Sequence, residues 1–167
     1  SDDNDSKVHV GLVHLCEGEL LLFQGDYEAA AERAISKGDL CLENGPTMFL
    51  NMGEVFNRGV ALYVMAQKKN KRLYRKEAKR IQIKVEKWAK SGNPNVQHYD
   101  TFLQAEKEAL EKKYETADGN YQKAINMASD GGYLQYVALF HSRYADFLSS
   151  YEAMDNNKEK SVHHMRE

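Results

Sequence analysis

Apolar residues recur at intervals of three and four along nearly every long segment of this 167-residue chain, as in Tyr114, Ala117, Tyr121, Ala124 and Ala128. That interval gathers side chains on one face of an α-helix, whereas a strand would alternate them. Only two prolines, Pro46 and Pro94, interrupt the chain, and its charged residues are mixed in sign. The length suits one sizeable core. The pattern therefore predicts an all-α domain of about seven to eight helices.

Residues 1–6 read as a disordered lead, followed by a helix over 7–23 that stops at Gln24, Gly25 and Asp26. A second helix is expected over 27–43, ending in "ENGP" (Glu43 to Pro46), where Asn, Gly and Pro end one helix and start the next. The third should span 47–67 with Phe49, Met52, Val55, Phe56, Val60, Tyr63 and Val64, and the fourth should run on to Lys90 before "SGNPN". Helices over 96–112, 114–129 and 133–150 follow, with "DGG" at 130–132 between the last two and a short eighth piece from about Lys158. The expected pairs are 7–44, 47–90, 96–129 and 133–167, the last truncated.

Two stretches share a pattern of polar turn, Tyr and spaced alanines: "FQGDYEAAAERAI" (Phe23 to Ile35) and "EKKYETADGNYQKAI" (Glu111 to Ile125). Alanines allow close helix approach, and tyrosines fill the space between pairs. In this the chain resembles the tetratricopeptide repeat, a helix-turn-helix unit stacked into an α-solenoid. The first unit keeps Gly18, Leu21, Tyr27 and Ala30 but has Ala34 where a large aromatic is usual. The later one keeps Ala105, Tyr114, Ala117, Tyr121 and Ala124 but has Glu108 where Tyr or Leu is usual.

The run from Val85 to Leu148 resembles more specifically the helical repeats of very large signalling proteins that join a kinase-like head, a STAND-type AAA+ ATPase and later histidine-kinase or cyclase modules. The resemblance rests on Trp88 with the turn Asn93 to Asn95, on Leu103 to Glu106, on Tyr114 to Ile125, on Tyr133 to Phe147, and on "KEKSVHHMRE" as the start of a further repeat helix. It implies a non-catalytic scaffold for protein contact or interdomain coupling. The implied partner is another protein or a neighbouring domain of the same, longer polypeptide. The chain opens without Met and ends without a Gly or Pro stop, as a fragment of such a polypeptide would.

Residues 68–90, "KKNKRLYRKEAKRIQIKVEKWAK", hold eleven Lys and Arg against two Glu in a chain whose net charge is −2. Tyr74, Ala78, Ile81, Val85 and Trp88 form a stripe at helical spacing, and Leu73, Ile83 and Ala89 depart from it. The stretch is expected to be a packed helix whose outer face carries Arg72, Arg75, Lys76, Lys79, Arg80, Lys84 and Lys87. That face is a candidate surface for an acidic partner, with nucleic acid or an acidic membrane surface as the rival, and a steep salt dependence as the rival's mark.

No Walker A, Gly-x-Gly-x-x-Gly or His-Glu-x-x-His pattern occurs, so the implied relatives' catalytic residues have no counterpart here, and no catalytic, cofactor or metal site is expected. His163 and His164 could join His14 or His9 in a metal site, but adjacent histidines on a helix point about 100° apart and do not chelate from one face, so a surface role is expected. Cys16 and Cys41 read as small buried hydrophobes in a reduced, cytoplasmic setting, and Glu106, Glu108 and Glu111 as helix surface charge. No apolar run approaches the ~18 residues of a membrane span.

Overall fold

The computed structural model describes the backbone of residues 2–44 and 48–164, and the side chains of residues 6–44 and 50–153. Eight α-helices lie along them: α1 (Asp2–Phe23), α2 (Tyr27–Lys37), α3 (Leu40–Asn44), α4 (Met48–Lys69), α5 (Arg72–Lys90), α6 (Gln97–Leu110), α7 (Tyr114–Asp130) and α8 (Leu134–His164). A 3₁₀ turn, Pro94–Val96, leads into α6, and no strand occurs among the described residues.

One turn geometry recurs at helix ends. Gly25, Lys112 and Gly132 adopt positive φ of 78°, 61° and 74°. Each following amide then reaches back five residues, Asp26 to the Leu21 carbonyl at 3.0 Å, Lys113 to Glu108 at 2.9 Å and Tyr133 to Ala128 at 2.9 Å. This closure satisfies carbonyls that a helix end leaves without partners. Asp26 also caps α2, its Oδ1 accepting from the Ala29 amide at 3.1 Å.

Packing follows chain order: α1 lies on α2, α3 and α4; α2 and α3 lie on α4; α4 meets α5 and α6; α5 meets α6; α6 meets α7; and α7 meets α8. Helix α4 is enclosed. Every residue from Val55 to Ala66 is buried, which explains why that segment is apolar nearly all round. Gly59 sets its closest approach, since a Cβ there would lie 2.8 Å from Ile81 Cγ2 on α5 and 3.1 Å from Leu103 Cδ2 on α6.

Aromatic rings fill the centre. Phe56 stacks on Tyr99 with centroids 4.3 Å apart and meets Phe102, Tyr136 and Phe140 edge-on. Phe102 in turn stacks on Phe140 at 4.0 Å. Each such pair adds about 0.5–1.5 kcal/mol beyond its area burial. Through these rings α8 joins α4 and α6, and Tyr136 also reaches Phe23 at the end of α1.

Three expectations change. Helix α1 starts at Asp2, so the lead expected to be disordered is helical from its second residue. The helix expected over 27–43 breaks at Gly38, whose φ of 55° suits glycine and whose amide closes on Ala34 O at 3.1 Å. The expected separate eighth helix is the distal part of α8, because no Gly or Pro lies between residues 133 and 164 to stop it. Gly45, Pro46 and Thr47, where the "ENGP" boundary was expected, lie outside the described residues, as do the side chains of Phe49, His163 and His164.

Candidate functional site

Helix α5 divides as its sequence predicts. Tyr74, Ala78, Ile81 and Val85 are buried and Trp88 partly so, with Gln82 and Ala89 widening the buried face, while Leu73 and Ile83 are exposed. Arg72, Arg75, Lys76, Lys79, Arg80 and Lys87 are exposed and Lys84 is half-buried.

These cations differ in their partners. Arg80 and Lys84 turn toward Asp39, in the break between α2 and α3: Lys84 Nζ lies 2.7 Å and Arg80 Nη1 3.7 Å from Oδ2, and Arg58 Nη2 of α4 binds Oδ1 at 3.0 Å. Arg58 is held in turn by Glu54 at 3.0 Å. Burial alone would raise the Asp39 pKa, but hydrogen bonds from Lys84 and Arg58 overcome it and hold the carboxyl below its ordinary range. Sequence reading passed over Asp39 because it missed the stop: Lys37 in the last turn followed by Gly38 is a helix-end signature.

On the other edge, Arg75 and Lys79 face Lys107 of α6 across an open cleft of about 360 Å³, also lined by Tyr63, Leu110 and Glu111. Glu111 is engaged by Lys113 at 2.7 Å, a hydrogen bond that lowers its pKa against the opposing effect of burial. Arg75 donates to the Asn70 side chain. Among the described residues Arg72, Lys76, Lys79 and Lys87 form no ion pair.

The acidic residues of α6 depart from the sequence reading. Glu106 is fully buried and Glu108 nearly so, not surface charge. Arg143 of α8, 4 % exposed, grips Glu106 in a bidentate pair, Nε to Oε1 at 2.9 Å and Nη2 to Oε2 at 3.1 Å. Gln67 of α4 donates to Glu106 Oε2 at 2.8 Å, and the Tyr27 ring of α2 receives the guanidinium at 5.6 Å. Glu108 accepts from Gln104 at 2.7 Å and Asn120 at 2.8 Å. One buried pair thus ties α2, α4, α6 and α8 together, and no local pattern around Glu106 announces it, since Arg143 lies 37 residues away.

A second concavity lies where α1, α4, α6 and α8 converge. It holds about 80 Å³ and is lined by Leu15, Glu19, Leu50, Gly53, Glu54, Asn57, Tyr99, Gln135 and Tyr136. Asn57 is 7 % exposed and leaves its Oδ1 without a hydrogen-bond partner. Such an orphan costs about 1–3 kcal/mol in desolvation.

Cys16 is exposed where a buried position was expected, and Cys41 is buried as expected. The buried face of α1 is set by Gly11, Leu15 and Leu22, and Cys16 lies about 100° round from Leu15. His98 is buried and stacked on Tyr133, and burial lowers its pKa to about 4. Among the described residues no three metal-ligating side chains cluster, and no helix is long and apolar enough to cross a membrane. No protein-family model, curated protein or solved structure matches the chain.

Proposed function

We propose that this chain is a non-catalytic helical-repeat module that docks another protein or a neighbouring domain of its own polypeptide. The observation that carries the reading is an apolar stripe left open on α1, where Val10, Val13, Leu20 and Phe23 are 45, 53, 57 and 39 % exposed. Contiguous apolar surface of this kind marks contact sites. Packing supports a stack of the tetratricopeptide type, because α1, α4 and α6 touch one another in sequence while α2, α5 and α7 alternate with them. A signalling ATPase or kinase as the parent polypeptide rests on the sequence resemblance alone.

The test is capture of flanking domains or cellular proteins by the chain and by a Val13→Asp/Leu20→Asp variant. Both positions are exposed, so unfolding should be unchanged while capture is lost. Failure of the unmodified chain to capture anything would sink the reading.

A second reading has its own support in the cleft bordered by Arg75, Lys79 and Lys107: an acidic partner or nucleic acid bound at the unpaired edge of α5. Mobility-shift measurements with an oligonucleotide at two salt concentrations separate the two, since phosphate contacts weaken steeply with salt.

A further inference from the structure

The concavity between α1, α4, α6 and α8 has a one-signed wall: Glu19 and Glu54 line it and no Lys or Arg does. Glu54 is already committed to Arg58. Glu19 is half-buried and, among the described residues, has neither ion pair nor hydrogen bond. Asn57 brings the buried Oδ1 that lacks a donor. Two tyrosine hydroxyls meet at the same place, for a Cβ on Gly53 would lie 3.0 Å from the Tyr136 hydroxyl and 3.4 Å from that of Tyr99. The two tyrosine rings stand edge to face with centroids 5.0 Å apart behind those hydroxyls.

One unused acceptor, an unpaired carboxylate and two hydroxyls with lone pairs to spare call for a ligand that donates hydrogen bonds and carries positive charge. We infer that this cavity binds the ammonium end of a small alkyl or methylated amine, free or on a lysine side chain. About 80 Å³ admits a head group with a short alkyl stem and excludes a larger body. The ammonium hydrogen-bonds to Glu19 and the Tyr99 and Tyr136 hydroxyls, with the Asn57 carbonyl beside it. Gly53 keeps the space open, because any side chain there enters the zone the two hydroxyls occupy. Glu19 also lines the adjoining cavity with Arg33, Lys37 and Arg58, of which Arg33 lies on Glu17 at 2.5 Å and Arg58 on Asp39 and Glu54, and none of the three is ion-paired to Glu19.

The test titrates the 167-residue chain with ethylammonium chloride, with lysine blocked at both backbone ends, and with sodium chloride and sodium propionate as controls, following the Gly53 and Asn57 amide resonances. Saturable shifts with an amine and none with either control are expected, and the relative response to ethylammonium and blocked lysine tells a free amine from a lysine side chain. Glu19→Gln should weaken the response about tenfold or more, as loss of a charge-assisted bond does. Gly53→Ala should abolish it, whereas Glu17→Gln, on the same helix but outside the cavity, should leave it intact. Circular dichroism shows whether each variant folds, and Glu19→Gln decides the matter if Gly53→Ala does not. Equal shifts with sodium chloride, no saturation with either amine, or an unweakened response in a folded Glu19→Gln variant would overturn the inference.

Discussion

The pair α1–α2 and the pair α6–α7 share a turn, a tyrosine after it and alanines beyond, yet they are finished differently. Tyr121 of the later pair is fully buried against Phe102, Tyr144 and Phe147. At the same distance from the turn tyrosine, the first pair has Ala34, beside a small cavity of about 20 Å³ walled by His14, Arg33, Glu54 and Arg58. There Arg33 meets the His14 ring and Glu17, an ion pair at 18 and 53 % exposure, whereas Glu106 of the later pair is held by Arg143 of α8 with both side chains buried. The later helix pair has a complete core, whereas the first keeps polar space and an open apolar face.

The largest effect expected is at the buried ion pair. Arg143→Ala strands the Glu106 carboxylate and should cost about 3–5 kcal/mol, whereas Arg33→Ala, at a partly exposed pair, should cost about 1 kcal/mol or less. Denaturant unfolding of both variants measures the contrast, and equal losses would break it. Tyr121→Ala should cost about 3–5 kcal/mol by removing a buried ring, in the same assay.

Acid lability should also sit in the later pair. Burial lowers the His98 pKa to about 4. The unfolded state therefore takes up the proton first. The contribution of the neutral ring is complete above about pH 6.5 and is lost as pH falls toward 4. Stability should drop by about 1–2 kcal/mol between pH 7 and 5, and His98→Phe should flatten that slope. Asp39 acts lower: its depressed folded pKa gives stability present above about pH 4 and lost as pH falls through the folded value, so Asp39→Asn should remove only that last decline.

The smallest effect concerns the shared turn. Lys112 holds a φ of 61° where the first pair has Gly25, so Lys112→Gly should stabilise the chain by about 0.5–1 kcal/mol. Thermal unfolding checks it, and a loss of stability would show that Lys112 compensates for its own strain.

What could be read in advance was periodic or chemically local. The stripe through Tyr74, Ile81 and Val85 and the alanine ladder of α7 declare their faces through spacing alone. The long reach of α8 is legible too, since no Gly or Pro interrupts residues 133–164. The opening acid-rich residues were ambiguous because carboxylates suit both a solvated lead and a helix first turn. Glu106 was hidden for a different reason: a glutamate flanked by lysine looks exposed until a cation from another helix arrives. Asp39 and Asn57 gain their roles only from packing, Asp39 by gathering cations from α4 and α5 and Asn57 by losing its solvent.

The two cysteines turn the apolar stripe into something that can be watched. Cys41 is buried and its thiol is pushed up to about 11, first by burial and then by Glu54 nearby, so it stays protonated and shielded. Cys16 stands in the open on α1 between Val13 and Leu20. A maleimide dye will therefore settle on one position without any engineered change, and its emission will report, in real time, whatever comes to cover that helix.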